Sequence, residues 1–362
     1  MNQDFWNQKR VLVTGHTGFK GSWISLWLQQ VGAAVVGYAL NPPTNPSLFE
    51  VADVSKGMES EIGDVCDMGR LLGVFHKHRP EIVIHMAAQT VVRTSYADPV
   101  GTYESNVMGT VKVLEAVRQV GGVKACIVVT SDKCYENKEW YWGYRENDRL
   151  GGYDPYSNSK GCAELVVSAY RSSFFNPRDL AKHGIRLASA RAGNVIGGGD
   201  WTADQLLPDI MRAVFENRPV KIRNPHAVRP WQFVLEPLNG YLMLAEYLWN
   251  SEQDYISAWN FGPESASAKP VEWIVDRVTA QWGHGATWEG DFQHHPHEAA
   301  YLRLDSSLAN TVMKWNPALS LEDALEWVVR WYRAYHDRQG MRALTCDQIQ
   351  RFQGLSACGL SR

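Results

Sequence analysis

Tyr156 and Lys160 stand four residues apart in Asp154-Pro155-Tyr156-Ser157-Asn158-Ser159-Lys160. On a helix that spacing is about one turn, so both side chains leave the same face. A lysine cation near a phenol lowers its pKa and favours the phenolate. A phenolate so placed can accept the proton of an alcohol while hydride leaves the alcohol carbon. Tyr153 is a second candidate, but no lysine lies four residues beyond it. Ser131-Asp132-Lys133 follows an apolar run at 124–130, where a parallel strand would end and ligands of open sheets bind. Ser131 can hydrogen-bond the reacting alcohol and complete a Ser-Tyr-Lys set, while Asp132 and Lys133 add an acid and an amine. The same triplet also reads as a solvated loop or a helix cap.

Hydride chemistry needs an acceptor, and the N-terminal region holds a place for one. Val11-Leu12-Val13-Thr14 leads into Gly15, Gly18 and Gly21 at G-x-x-G-x-x-G spacing, with an apolar helical stretch behind them. A strand that turns into a helix in this way presents backbone amides to a pyrophosphate. Gly15 permits the tight turn, Gly18 lets the backbone approach the phosphates, and Gly21 allows close helix–sheet packing. Alone the triplet could be only a turn; between a strand and a helix it reads as a dinucleotide site. The type of dinucleotide is less legible. Tyr38-Ala39-Leu40-Asn41 offers neither an acid for a ribose 2′-hydroxyl nor an Arg or Lys for a 2′-phosphate. His16 and Lys20, inside the loop, could meet a phosphate, which leaves NADP open beside NAD.

The elements that must position these groups alternate along the first half. Strands are expected at 10–14, 34–38, 81–85, 124–130 and 185–190, and helices at 20–31, 67–78, 100–120 and 158–176. The run at 124–130 is nearly all apolar, as in a parallel strand covered on both faces. Repeated β-α units imply an α/β fold: a Rossmann-type, right-handed, doubly wound parallel sheet. Beyond Gly193 the pattern loosens, with helices expected at 234–249 and 321–336. We expect a cofactor-binding domain over 1–192, to which some later segments return. A smaller mixed α/β substrate domain follows over 193–340, at the C-terminal side, and then a weakly patterned tail over 341–362.

Bulk composition excludes several classes. Of 362 residues, 45% are hydrophobic and 21% charged, which suits a soluble globular chain. The net charge of −3 argues against a nucleic-acid partner. No run of 18 apolar residues suggests a membrane span, and the polar N-terminus does not look like a signal peptide. Six scattered cysteines without a C-x-x-C pair read as reduced thiols in the cytoplasm. Fifteen tryptophans read as core and interface packing. Adjacent histidines in His294-His295-Pro296-His297-Glu298 converge poorly on an ion, so no metal is expected.

Taken together, the motifs resemble the nucleotide-sugar branch of the extended short-chain dehydrogenase/reductases, over roughly residues 8–335. The resemblance rests on Gly15, Gly18, Gly21, Tyr156 and Lys160. It also rests on His85-Met86-Ala87-Ala88-Gln89, Asn106-Val107-Met108-Gly109-Thr110 and Arg191-Ala192-Gly193-Asn194. It implies NAD as cofactor, held by Gly15, Thr17, Gly18, Phe19, Lys20, Gly21, Asp64, Val65, Ala87, Ala88, Gln89, Tyr156 and Lys160. The substrate it implies is a nucleotide sugar, gripped by Gln89, Arg93, Asn194, Lys221, Arg223, Arg229 and His297. Arginine forks suit a diphosphate, although Arg223 and Arg229 could equally be surface charges. A homodimer is implied through a four-helix interface built from the helices at 100–120 and 158–176.

Within that branch, epimerases lack an acid beside Ser131, whereas 4,6-dehydratases carry Thr-Asp-Glu there. Ser131-Asp132-Lys133 keeps the acid but has lysine where dTDP-glucose dehydratases have the basic glutamate. The triplet is similar to the group acting on CDP-glucose, and no residue by itself reads the cytosine. The resemblance then implies a reaction. Tyr156 takes the 4-hydroxyl proton as hydride leaves carbon 4, and the ketone formed acidifies carbon 5. A base removes that proton, Asp132 protonates the departing 6-hydroxyl, and hydride returns to carbon 6. For this Asp132 has to carry a proton, and an uncharged Lys133 could be the carbon-5 base. The rivals are a dTDP- or GDP-sugar dehydratase, an epimerase or decarboxylase of the branch, and a cofactor-sensing regulator without activity.

Overall fold

The computed structural model describes residues 1–250, 255–291 and 301–359. Seven strands form the central sheet: β1 (Arg10–Thr14), β2 (Ala34–Ala39), β3 (Glu59–Ile62), β4 (Ile82–His85), β5 (Ala125–Val129), β6 (Arg186–Arg191) and β7 (Ala258–Asn260). Their spatial order is 7-6-5-4-1-2-3, and every neighbouring pair is parallel. The pleat sends successive side chains to opposite faces, and both faces are covered. Val11, Val13, Ile82, Ile84 and Ile127 enter one apolar cluster. Leu12, Val83, Cys126 and Val128 enter the other. This is why these strands read as apolar runs without alternation.

Helices α1 (Phe19–Gln30), α2 (Met68–His78), α3 (Gly109–Val120) and α4 (Pro155–Ser173) make the crossovers. Strand order reverses between β1 and β4, which opens a crevice at their carboxyl ends. The helix expected over 100–120 is not continuous. It runs Pro99–Tyr103, passes through a π turn at Glu104–Met108, and resumes as α3. The wider turn delivers the Asn106 amide inward, where it donates to Gln89 O and Ser159 Oγ, both at 2.9 Å.

The later chain adds α5 (Leu206–Phe215), α6 (Leu235–Asn250), α7 (Val271–Trp282), α8 (Leu321–His336) and α9 (Met341–Gly359). Three short strand pairs accompany them: Val195–Ile196 with Gln232–Phe233, Val228–Pro230 with Ala268–Pro270, and Val220–Ile222 with Trp288–Gly290. α6 packs on β5 and β6, and β7 extends the sheet beside β6, so both belong spatially to the first layer. At three residues β7 is too short to show a period. It exists because the edge of β6 offers unpaired backbone groups.

The expectation of a weakly patterned tail over 341–362 is corrected. Met341–Gly359 is a helix whose Met341, Ile349 and Phe352 are buried, with Phe352 edge-on to Trp27 at 5.7 Å. Arg342 ties it to the connection between β2 and β3 by donating to Asp53 O at 2.6 Å and Lys56 O at 3.0 Å. Two polar residues on the packed face, Thr345 and Gln348, blur the apolar stripe. Thr345 accepts from Trp331 Nε1 at 3.0 Å, and Gln348 donates to Trp327 O at 3.0 Å.

One buried carboxyl makes the fold pH-sensitive. Glu236, at the start of α6, accepts backbone N–H groups from Ala318 at 3.0 Å and Leu319 at 2.8 Å. Burial pushes its pKa from 4.5 up to about 7. The folded state therefore holds a proton that the unfolded chain releases, and stability falls as pH rises from 4.5 to about 7. At about 1.4 kcal/mol per unit, the loss is roughly 3 kcal/mol and is complete above neutrality. Denaturant unfolding of Glu236→Gln should lack this slope; a wild-type minus variant difference independent of pH would disprove it.

Candidate active site

The glycine turn sits over the crevice. Gly15 has φ +78° and donates its N–H to Tyr38 O at 2.9 Å. A Cβ there would lie 2.8 Å from Ala87 N. A Cβ on Gly21 would lie 2.0 Å from Gly15 O, so this glycine packs the loop on itself rather than α1 on the sheet. Gly18 caps α1 without a side chain, leaving first-turn amides facing the crevice. A loop with no room for side chains, opening onto a helix N-terminus, fits the diphosphate of a dinucleotide. Thr17 donates to Leu40 O at 2.9 Å, and the Phe19 ring lies against Gly197. Ala87, Ala88 and Gln89 follow β4, with Ala87 N bonded to Thr14 Oγ1 at 3.2 Å. Asp64, exposed, and Val65, buried, follow β3 at the same end of the sheet.

Of the loop's two basic residues, His16 is turned into the protein rather than toward the crevice. His16 is fully buried, bonded through Nε2 to Ser60 Oγ at 2.7 Å and edge-on to Phe49. Burial lowers its pKa to about 4, so it is neutral at ordinary pH. Burial lowers the pKa of Lys20 against the opposing charges of Asp132 and Asp200.

α4 begins at Asp154, whose carboxylate accepts Ser157 N at 2.9 Å, and its first turns carry Tyr156 and Lys160. Both are buried, and the phenol shares a hydrogen bond with Ser131. The short turn Asp132–Cys134 after β5 brings the remaining groups to them. Ser131 Oγ donates to Asp132 Oδ1 at 2.9 Å and accepts Lys133 N at 3.2 Å. Lys133 Nζ lies 5.9 Å from the centre of the Tyr156 ring. Ser131, Asp132, Lys133, Tyr156 and Lys160 thus converge. The expected lowering of the phenol is not found in this protein state. Burial pushes Tyr156 well up against the Ser131 hydrogen bond, while burial and the charge of Lys20 bring Lys160 down to about 8.

Behind these residues lies a network that sequence reasoning missed. Glu164, one turn after Lys160, accepts Arg191 Nε at 2.9 Å and Nη2 at 2.8 Å, and Ser189 Oγ at 2.7 Å. Thr130 Oγ1 also donates to it. Arg191 Nη1 donates to Tyr135 OH at 2.6 Å, and that hydroxyl donates to Asn260 Oδ1 at 2.8 Å. Burial would raise the Glu164 carboxyl, but the Arg191 guanidinium and these donors hold it below its usual value. The pair clamps the 130–135 loop between α4, β6 and β7. Glu164 four residues after Lys160 was the available signal.

On the substrate side a cavity of about 500 Å³ is lined by Arg93, Lys133, Asn194, Lys221, Arg223 and Arg229. Asp204, which the sequence did not suggest, bridges Arg93 Nη1 and Arg223 Nη1, each at 3.3 Å. Gln89, expected as a sugar contact, is held by neighbours in the protein. Its Nε2 donates to Thr102 Oγ1 at 2.9 Å and its Oε1 accepts Val91 N, so the amide is engaged within the protein. His297 lies outside the described residues, as do His294, His295 and Glu298. Among the described residues no three His, Cys, Asp or Glu side chains could hold a metal ion. No helix among them is long and apolar enough to cross a membrane.

The chain is similar to known proteins in sequence and in fold. A family model described as GDP-mannose 4,6 dehydratase matches residues 12–328. The chain is 56% identical over 357 residues to the CDP-glucose 4,6-dehydratase of Salmonella typhimurium, covering 99% of each. The dTDP-glucose 4,6-dehydratase of Streptomyces venezuelae, solved with NAD and TYD bound, superposes with a TM-score of 0.76. It is 20% identical, covering 91% of this chain and 98% of that one. The Thermus thermophilus UDP-glucose 4-epimerase, solved with NAD, has a TM-score of 0.75 at 25% identity, covering 90% and 99%. The likeness spans cradle, catalytic turn and substrate layer alike, and the chain belongs to the GDP-mannose 4,6 dehydratase family, alongside CDP-glucose 4,6-dehydratase.

Proposed function

We propose that this chain converts CDP-D-glucose to CDP-4-keto-6-deoxy-D-glucose and water, using NAD held in the glycine cradle. The observation that carries this reading is Asp132. Its Oδ1 is fixed by Ser131, while its buried Oδ2 has no hydrogen-bond partner among the described residues. A spare carboxyl oxygen beside the Ser-Tyr-Lys set is what a second proton transfer requires.

Bound NAD supplies the acceptor for the carbon-4 hydride, a positive charge favouring the phenolate, and the hydride returned to carbon 6. Tyr156 takes the 4-hydroxyl proton, with Ser131 holding the oxygen and Lys160 the local positive charge. The carbon-5 proton then passes to a base, the role proposed for Lys133. A carbon–carbon double bond forms between carbons 5 and 6 as the carbon–oxygen bond at carbon 6 breaks. Asp132 gives its proton to the departing oxygen, which leaves as water. The proton held by the base goes back to carbon 5 when carbon 6 is reduced. Arg93, Arg223 and Arg229 are proposed to grip the diphosphate, with Asp204 holding Arg93 and Arg223 together beforehand.

Exposed apolar residues on the helices at 92–120 and on α4, among them Val100 at 78%, Met108 at 41% and Leu165 at 59%, support the homodimer. We place the enzyme in the cytoplasm, in deoxysugar biosynthesis for a lipopolysaccharide O-antigen. The test is turnover against CDP-, dTDP-, UDP- and GDP-glucose, with and without added NAD. The 4-keto-6-deoxy product is read by its alkali-induced ultraviolet band. CDP-glucose is expected to react at least about tenfold faster than the others, a discrimination of about 1.4 kcal/mol. Formation of a 4-epimer without the keto product would instead make it an epimerase.

A further inference from the structure

Asp132 occupies space that exists only because residue 193 lacks a side chain. A Cβ on Gly193 would lie 1.9 Å from Asp132 Oδ2, 2.0 Å from its Cγ and 2.4 Å from its Oδ1. Such distances overlap the whole carboxylate, not its edge. The backbone offers no other reason for glycine here, since Gly193 is absent from the left-handed region.

Neither segment can easily withdraw. Gly193 O accepts Gln232 Nε2 at 3.1 Å, and the same amide donates to Phe261 O at 2.9 Å. Asp132 N donates to Ala192 O at 3.3 Å, and the turn that carries it is capped by Ser131. A side chain at 193 would therefore be accommodated by rotating the Asp132 carboxylate away from its slot. The three atoms nearest that Cβ all belong to Asp132, so the acid, and not a group for carbon-4 oxidation, takes the collision.

We infer that Gly193 is the positioning residue for the elimination step. The space above its Cα is the slot that aims the acid, and filling it uncouples oxidation at carbon 4 from water loss. This rests on the proposed dehydratase reaction. With Asp132 displaced, the carbon-5 proton can still leave and return, but the oxygen on carbon 6 receives no proton and stays bonded.

The experiment compares wild type, Gly193→Ala, Asp132→Ala and the double variant in single turnovers of CDP-glucose with NAD. Carbon-4 oxidation is read by reduced-nicotinamide absorbance, and water loss by the alkali-induced band of the product. Gly193→Ala is expected to keep the oxidation rate within about threefold while slowing product formation by about 10²-fold or more, as for a lost general acid. In the Asp132→Ala background the same change should add less than about twofold, because the clash is gone. Parallel loss of oxidation and elimination, or effects that multiply in the double variant, would overturn the inference. Should Gly193→Ala fail to fold, the double variant should fold again; if it does not, the collision is not with Asp132 and the inference falls. Wild type that makes no keto product removes the dehydratase reading and this inference together. Wild-type turnover matched by Gly193→Ala removes this inference alone.

Discussion

Tyr156→Phe is expected to lower turnover of CDP-glucose by about 10²–10⁴-fold, the usual contribution of a positioned base. The variant keeps the buried ring and removes only the hydroxyl, whose partner is Ser131. Folding stability should change by no more than about 1 kcal/mol, the net worth of one hydrogen bond. The substrate is proposed to be held by the arginines across the cavity, so KM should move by less than about threefold. Oxidation and water loss should fall together, because Tyr156 acts before the elimination. That distinguishes it from Gly193→Ala, which leaves oxidation intact. Steady-state kinetics with thermal unfolding checks the outcome; turnover within tenfold of wild type would remove Tyr156 from the base role.

Arg191→Met is expected to cost about 3–5 kcal/mol of folding stability, because it strands a buried carboxylate. Glu164 and Arg191 side chains are only 3% and 4% exposed, so water cannot replace the lost cation. The guanidinium also anchors Tyr135, whose hydroxyl reaches Asn260. Its loss should loosen the 130–135 turn and reduce turnover even where the chain remains folded. Glu164→Gln on top of Arg191→Met should recover part of the stability, since no buried charge is then left unpaired. Denaturant unfolding of the two single variants and the double variant tests this. A loss below about 1 kcal/mol for Arg191→Met would mean that the pair is not holding the turn.

Much of the site was legible because its signals are local. The 10–30 segment reads as strand, turn and helix from neighbouring residues, and β1 and α1 fall there within a residue. Tyr156 and Lys160 share a face because one turn of helix separates them. His16 misled for the opposite reason. Its sequence neighbours are phosphate-binding glycines, but its direction is set by Ser60 on β3. α9 was missed because its buried polar residues are satisfied by partners the local pattern cannot show.

By itself, then, the sequence determined the dinucleotide cradle, the Tyr-Lys helix and the presence of an acid after β5. Each of these is a property of residues within one element or one turn. The tertiary structure alone decided which charges are paired, which amides are engaged and where the acid points. Glu164 with Arg191, Asp204 between two arginines, and the slot over Gly193 join residues from different strands and helices. Such relations depend on the packing of the layers against one another, and no spacing along the chain records that.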